Sequence, residues 1–191
     1  LVSAVVKLIE DQHADNTVLA TLCPTGSYID PGTKLCVACL PGTYSATPSS
    51  QANSPAVCLS CSAGTYSNKT GASAASDCLG CLPGSWSSVV GASSASVCQS
   101  CGAGSTSVVG AQGPGACVCG GGFAQFNGSC APCEAGTWCT GGVKNLCPGY
   151  LQGKSTSPPM SSSIDACYCK AGYYNWAYKL DGCLDCPENS F

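Results

Sequence analysis

Apolar residues gather in runs only at the start of the chain. Residues 2–9 and 17–22 form two apolar stretches around a polar segment, residues 10–16. Their β-branched content predicts two short strands rather than one helix. An N-terminal arm of this kind is either the last hairpin of a preceding domain or an edge strand that adds to a neighbouring subunit. From Cys23 onward the pattern is carried by cysteine. Six Cys-x-x-Cys pairs occur, at Cys36/Cys39, Cys58/Cys61, Cys78/Cys81, Cys98/Cys101, Cys130/Cys133 and Cys183/Cys186, with two tightened versions at Cys117/Cys119 and Cys167/Cys169. From Cys36 they recur after 22, 20, 20 and 19 residues. The text between them repeats as well: CLPGTYS, CSAGTYS, CLPGSWS and CGAGSTS open successive units, and GASAASDC, GASSASVC and GAQGPGAC close them.

Each unit predicts a small β-hairpin. The Gly three residues after a Cys (Gly42, Gly64, Gly84, Gly104, Gly136, Gly172) can take positive φ and turn the chain off a bridge. The aromatic two residues later, Tyr44, Tyr66, Trp86, Trp138 or Tyr174, is expected to lie against the neighbouring disulfide and hairpin. The expected fold is small, disulfide-rich and mostly β or irregular, an elongated tandem array of cysteine-rich hairpins with little helix. Residues 1–22 form an N-terminal strand segment, 23–119 the regular units, and 120–191 variant units, the last of them cut short.

Composition explains why cysteine must do this. The chain has 191 residues, and Leu, Ile, Val and Phe number only 32, about 17%, a share at which a conventional core seldom forms. Nineteen cysteines, about 10% of the chain, mark a covalently stapled scaffold in an oxidising compartment. Only 17 residues are charged and the net charge is −3. Seven basic residues form no patch for nucleic acid or an anionic membrane, and no apolar run reaches a bilayer span, so neither nucleic-acid binding nor direct membrane insertion is expected. The chain begins at Leu rather than Met and reads as a processed protein or an excerpt of a longer one.

Cysteine pairs at this spacing have three chemistries. Zinc would hold four thiolates in discrete sites, but the pairs run on in one series with a single histidine, His13. Redox or nucleophilic thiol chemistry would require a depressed pKa at a helix start or beside basic residues, and that context is missing. The disulfide alternative joins the second Cys of one pair to the first of the next: Cys23 to Cys36, Cys39 to Cys58, Cys61 to Cys78, Cys81 to Cys98, Cys101 to Cys117 and Cys119 to Cys130. An extra cysteine then interrupts the series. An interlaced pair is expected there, Cys133 to Cys147 and Cys139 to Cys167, before Cys169 to Cys183. Cys186 is left over, unpaired or joined to another chain, and the tail at residues 186–191 lines up with CLPGTY at 39–44, Asn189 standing at the turn Gly.

The run of C-x-x-C-x-x-G-[TS]-[YW]-S units over residues 23–186 resembles the ephrin-receptor-like cysteine-rich repeats, similar to those of tumour-necrosis-factor receptors. The resemblance implies an elongated ladder outside the cell. Such repeats occur in receptor ectodomains, adhesive surface proteins and ciliary coat proteins, including mastigoneme-like filaments. The Ala, Ser and Gly fill is closer to the protist or algal type.

Other features refine this picture. Asn68-Lys69-Thr70 and Asn127-Gly128-Ser129 are N-glycan acceptor triplets in expected turns. Residues 155–163, STSPPMSSS, read as a Ser/Thr/Pro loop for O-glycans or a flexible insertion. His13 lies in a polar stretch without catalytic partners, acidic residues lack calcium-loop spacing, and no nucleophile elbow occurs. No enzyme, metal or cofactor is expected. The function expected is an extracellular structural or adhesive one, a filament or coat subunit at the cell surface, the coat of a cilium or flagellum included, self-associating or contacting other surface proteins. A ligand-binding receptor ectodomain is the alternative, and a zinc-binding protein a second.

Overall fold

The computed structural model describes residues 23–48, 54–175 and 182–188. The expected strands at residues 1–22, His13 and Asn189 lie outside these residues. The described chain is nearly helix-free, built of nine two-stranded antiparallel hairpins with one disulfide each. It is convenient to number the units by their rings: 23–38, 39–60, 61–80, 81–100, 101–118, 119–132, 133–146, 147–168 and 169–185 are units 1 to 9. Every unit starts on a proximal cysteine, turns, runs outward along one short strand and returns along the other; in all but unit 7 the return passes through a distal cysteine. In units 2, 3, 4, 5 and 8 a single 3-10 turn precedes the distal cysteine, at Pro55–Val57, Ala75–Asp77, Ala95–Val97, Pro114–Ala116 and Ile164–Ala166. Ser54, Ser94 and Ser163 cap three of them by accepting an N–H two residues on.

The turn glycines have the backbone the repeat requires, from Gly42 at φ +87° to Gly104 at φ +71°. Gly42 N–H donates to Ser67 O of the next unit at 2.7 Å, Ser45 N–H to Ala72 O at 3.0 Å, and Gly71 N–H back to Cys39 O at 2.8 Å. One unit later the same three bonds recur as Gly64 to Ser87, Ser67 to Ala92 and Gly91 to Cys61, and again as Gly84 to Ser107, Ser87 to Ala111 and Gly110 to Cys81. The aromatic therefore sits in a parallel bridge with the following unit, Tyr44 with Ala72, Tyr66 with Ala92 and Trp86 with Ala111. Tyr44, Tyr66 and Trp86 are half-buried in these junctions. The interior is a thin column of proximal cysteines, one serine per unit (Ser45, Ser67, Ser87, Ser107) and the alanines Ala72, Ala92 and Ala111, all these serines and alanines being buried.

A further contact skips a unit. A Cβ placed on Gly26 would strike Gly71 O, on Gly42 Gly91 O, on Gly64 Gly110 O, and on Gly122 Met160 O. In each case the obstructing carbonyl belongs to the unit two places on. Gly84 has nothing within 4 Å of that position, because unit 6 has a short ring and no Gly-Ala loop to supply the carbonyl. At the tightened Cys117/Cys119 junction the ladder also changes: Gly120 N–H donates to Gly104 O at 2.9 Å and the Phe123 ring covers Gly104. It resumes in unit 6 with Gly122 to Cys139 and Gln125 to Gly142, and in unit 7 with Gly136 to Ser157, Cys139 to Ser161 and Met160 to Cys133.

Gly42→Ala is expected to cost about 3 kcal/mol, from left-handed backbone strain plus the displaced Gly91 carbonyl. Gly84→Ala, at φ +79° with open space, should cost only about 1 kcal/mol. Denaturant melts of the oxidised variants check this, and equal losses would exclude the skipped-unit contact.

Candidate functional site

Function in such an array rests on the bridge column and on the faces the hairpins present. Strand register fixes both. Tyr44 faces Leu59, so Ser45 lies opposite the distal Cys58, and the register elsewhere sets Ser67 opposite Cys78, Ser87 opposite Cys98 and Ser157 opposite Cys167. Directly opposed residues share a face. One face of each such hairpin thus points its distal cysteine and the small buried residue inward at the proximal cysteine. The other presents the aromatic and its opposed partner outward.

The structure joins Cys23–Cys36, Cys39–Cys58, Cys61–Cys78, Cys81–Cys98, Cys101–Cys117, Cys119–Cys130 and Cys169–Cys183. It corrects the expected interlaced pair. Cys133 bonds Cys139 and Cys147 bonds Cys167, so all nine bridges are sequential. The register gives the reason. In unit 7 the residue opposite Cys139 is Lys144, standing where a distal cysteine belongs, while Cys139 occupies the buried serine position. The proximal Cys133 reaches across the same small gap to the other strand. Aligning CEAGTWC at residues 133–139 with CLPGTYS at residues 39–45 exposes this signal. Cys147 is an ordinary proximal cysteine, its N–H donating to Gly136 O at 3.0 Å as Cys61 N–H does to Gly42 O at 2.8 Å. Cys186 is exposed and free, its N–H likewise donating to Gly172 O.

The Ser-rich stretch is also corrected. Residues 155–163 are not a loose loop: Ser155–Thr156 is a strand, Ser155, Ser157 and Ser161 are buried, and Ser161 takes the alanine position opposite Trp138. The buried hydroxyls of Ser155, Ser157 and Ser161 cannot carry sugar, whereas Ser162 is exposed. The acceptor asparagines are exposed, Asn68 ahead of the Gly71 loop and Asn127 at φ +47° in the two-residue Asn-Gly turn between Phe126 and Ser129.

Charge is sparse and local. Between residues 35 and 133 the only charged side chains are Lys69 and Asp77, which pair at 2.9 Å. Asp77 also accepts from the N–H groups of Ser73 at 2.8 Å and Ala74 at 3.2 Å, tying off the 3-10 turn of unit 3. The Lys69 hydrogen bond, followed by these backbone donors, holds its carboxyl below the ordinary 3.8. Further along, Lys154 pairs with Asp185 at 2.7 Å and lies over the Tyr173 ring, joining units 8 and 9. Beside it a cleft of about 400 Å³ is lined by Tyr168, Tyr173, Tyr174, Asn175 and Ser155, whose buried hydroxyl has no partner among the described residues.

Residues 26–78 match the family described as tyrosine-protein kinase ephrin type A/B receptor-like. A curated relative, cysteine repeat modular protein A of Toxoplasma gondii, is 33% identical over 82 residues, which cover 39% of this chain and 2% of that protein. The chain thus corresponds to a small fraction of that relative's length.

Cys139→Ser should free Cys133 and cost about 2 kcal/mol for a ring this small, whereas adding Lys144→Cys should recreate the ordinary ring, closed between Cys133 and the new thiol. Peptide mapping without reduction decides it; Cys133 bridged to Cys147 in the parent would refute the assignment. Because the Asp77 carboxyl is held low, its support for unit 3 is in place above the ordinary aspartate range and is lost as pH falls through its folded midpoint. Amide exchange at Ser73 and Ala74 should accelerate there, and Asp77→Asn should abolish the pH dependence.

Proposed function

We propose that this chain of ephrin-receptor-like cysteine-rich repeats is an extracellular structural or adhesive segment, a repeating part of a surface filament or coat. The role is mechanical rather than catalytic. The single observation that carries it is the redundancy of the regular junctions: outside unit 7, whose ring stops at Cys139 and leaves residues 140–146 before the next, a covalent ring closes each hairpin, one or two residues join successive rings, and backbone hydrogen bonds lock each unit to the next. Tension on the ends would be borne by rings that cannot open. Nine bridges also require the oxidising conditions found outside the cell, and the Toxoplasma relative is a cysteine repeat protein from a protist. A ciliary or flagellar coat is one surface that fits, and the exposed Asn68 and Asn127 would carry N-glycans there. The tyrosine cleft beside Ser155 favours a second reading, a ligand-binding ectodomain whose contacts lie between units 8 and 9.

Under the mechanical reading, single-molecule pulling on the oxidised chain gives a short, stiff extension. Reduction should lengthen the contour toward about 3.5 Å per residue. Equal extension before and after reduction would remove the mechanism. Surface labelling of intact cells tests the location.

A further inference from the structure

The outward faces of the hairpins repeat. Opposed residues share a face, so the register sets Tyr28 with Val37, Tyr44 with Leu59, Tyr66 with Leu79 and Trp86 with Gln99 on the side away from the bridges. The aromatics are half-buried, whereas Leu59 and Leu79 keep 54% and 53% of their surface exposed and Val118, at the same place in unit 5, keeps 56%. An aromatic–aliphatic pair thus recurs in units 1, 2 and 3, and one apolar member of it continues in units 4 and 5, Trp86 opposite Gln99 and Val118 opposite Thr106. The surrounding surface is almost without charge, since Lys69 and Asp77 cancel each other and stand alone between residues 35 and 133.

We propose that this stripe is the lateral contact for a second copy of the same chain. The proposal takes its setting from the fibre reading and names the contact that reading leaves open. Two features point to a copy rather than a different partner. A copy presents the same pairs at the same unit spacing, so that a two-fold arrangement brings pair onto pair along several units at once. Like copies ordinarily repel through their own charge, and here that repulsion is absent, while a charged partner would find nothing to pair with. A stable pairing buries about 800 Å² per partner, and a half-exposed aromatic with an exposed aliphatic offers on the order of 150 Å², so the full pairs of units 1 to 3 supply about half of it, Trp86 and Val118 of units 4 and 5 extend the contact, and one hairpin alone does not suffice.

The test uses the full oxidised chain in sedimentation equilibrium. Wild type should dimerise or oligomerise with concentration, with little dependence on salt. Leu59→Glu with Leu79→Glu should raise the dissociation constant at least tenfold, since both side chains are exposed and their loss leaves the bridges intact. Leu151→Glu, still more exposed at 80% but outside the stripe, should leave it unchanged. An equimolar mixture of the double Glu variant with the corresponding Leu59→Lys, Leu79→Lys variant should recover association. A wild-type chain that stays monomeric to millimolar concentration overturns the proposal, as do Glu variants that associate normally. Filaments that persist in the Glu variants would overturn the lateral contact and leave the fibre reading standing. Dimers that never extend into filaments would do the reverse.

Discussion

In units 1, 2 and 3 the turn glycine lies under a carbonyl from two units further on, and much else in the array follows from that crowding. Only a residue without a side chain admits the approach, and only positive φ aims the glycine N–H at the next unit. The Gly-Ala loop of a unit is thereby fixed from two sides at once: its glycine N–H reaches the proximal cysteine carbonyl of the unit before, and its carbonyl covers the turn of the unit before that. Three consecutive units meet at one point. Tandem repeats usually share surface with nearest neighbours alone, which makes their stability a sum of local terms. Second-neighbour contact makes the loss of one unit felt on both sides.

The same constraint explains where the array changes character. Unit 6 replaces the Gly-Ala loop and 3-10 turn with a four-residue-strand hairpin and an 11-residue ring separation, so it offers no carbonyl to Gly84. Phe123 supplies apolar cover over Gly104 at that junction instead. Unit 8 restores the loop, with Met160 at φ +60° in the glycine position and Ser161 in the alanine position, and the carbonyl of Met160 again covers a glycine two units back. A non-glycine at positive φ is costly, and it is tolerated here because the carbonyl it aims is needed. The hydrogen-bonding pattern survives where the sequence does not.

This separates what was legible in the sequence from what was not. The hairpins and their turns were legible because cysteine spacing and the glycine three residues on report one rigid local geometry. Contacts within a unit leave such marks. Contacts between units do not: the parallel bridge of Tyr44 with Ala72 spans a stretch whose spacing varies, and nothing in GAS announces that its alanine is fully buried in the junction. Serine is misleading for the same reason. Counted by composition, residues 155–163 look like a solvated loop, yet Ser155, Ser157 and Ser161 fill positions held elsewhere by small buried residues. Cys139 reads as an extra cysteine that breaks the series, and hence as one arm of an interlaced pair, because its spacing says nothing of register; register places it at an inner serine site, where the proximal Cys133 meets it and the series stays sequential.

The interior column holds little beyond sulfur, methyl groups and hydroxyls, so hydrophobic burial per unit is small and ring closure must supply much of the stability, about 3 kcal/mol for each ring of 15 to 20 residues. Aliphatic side chains are consequently not needed inside, and the sequence places Leu59 and Leu79 outside, opposite the aromatics, and Val118 outside, opposite Thr106. In a fold with a conventional core that would waste the few large apolar residues available. Here the bridges release them from core duty, and a nearly uncharged surface removes the usual penalty for bringing copies together. Covalent closure within the chain and apolar contact between chains are therefore two results of one economy: sulfur holds the unit, which frees leucine and valine to face whatever the unit is joined to.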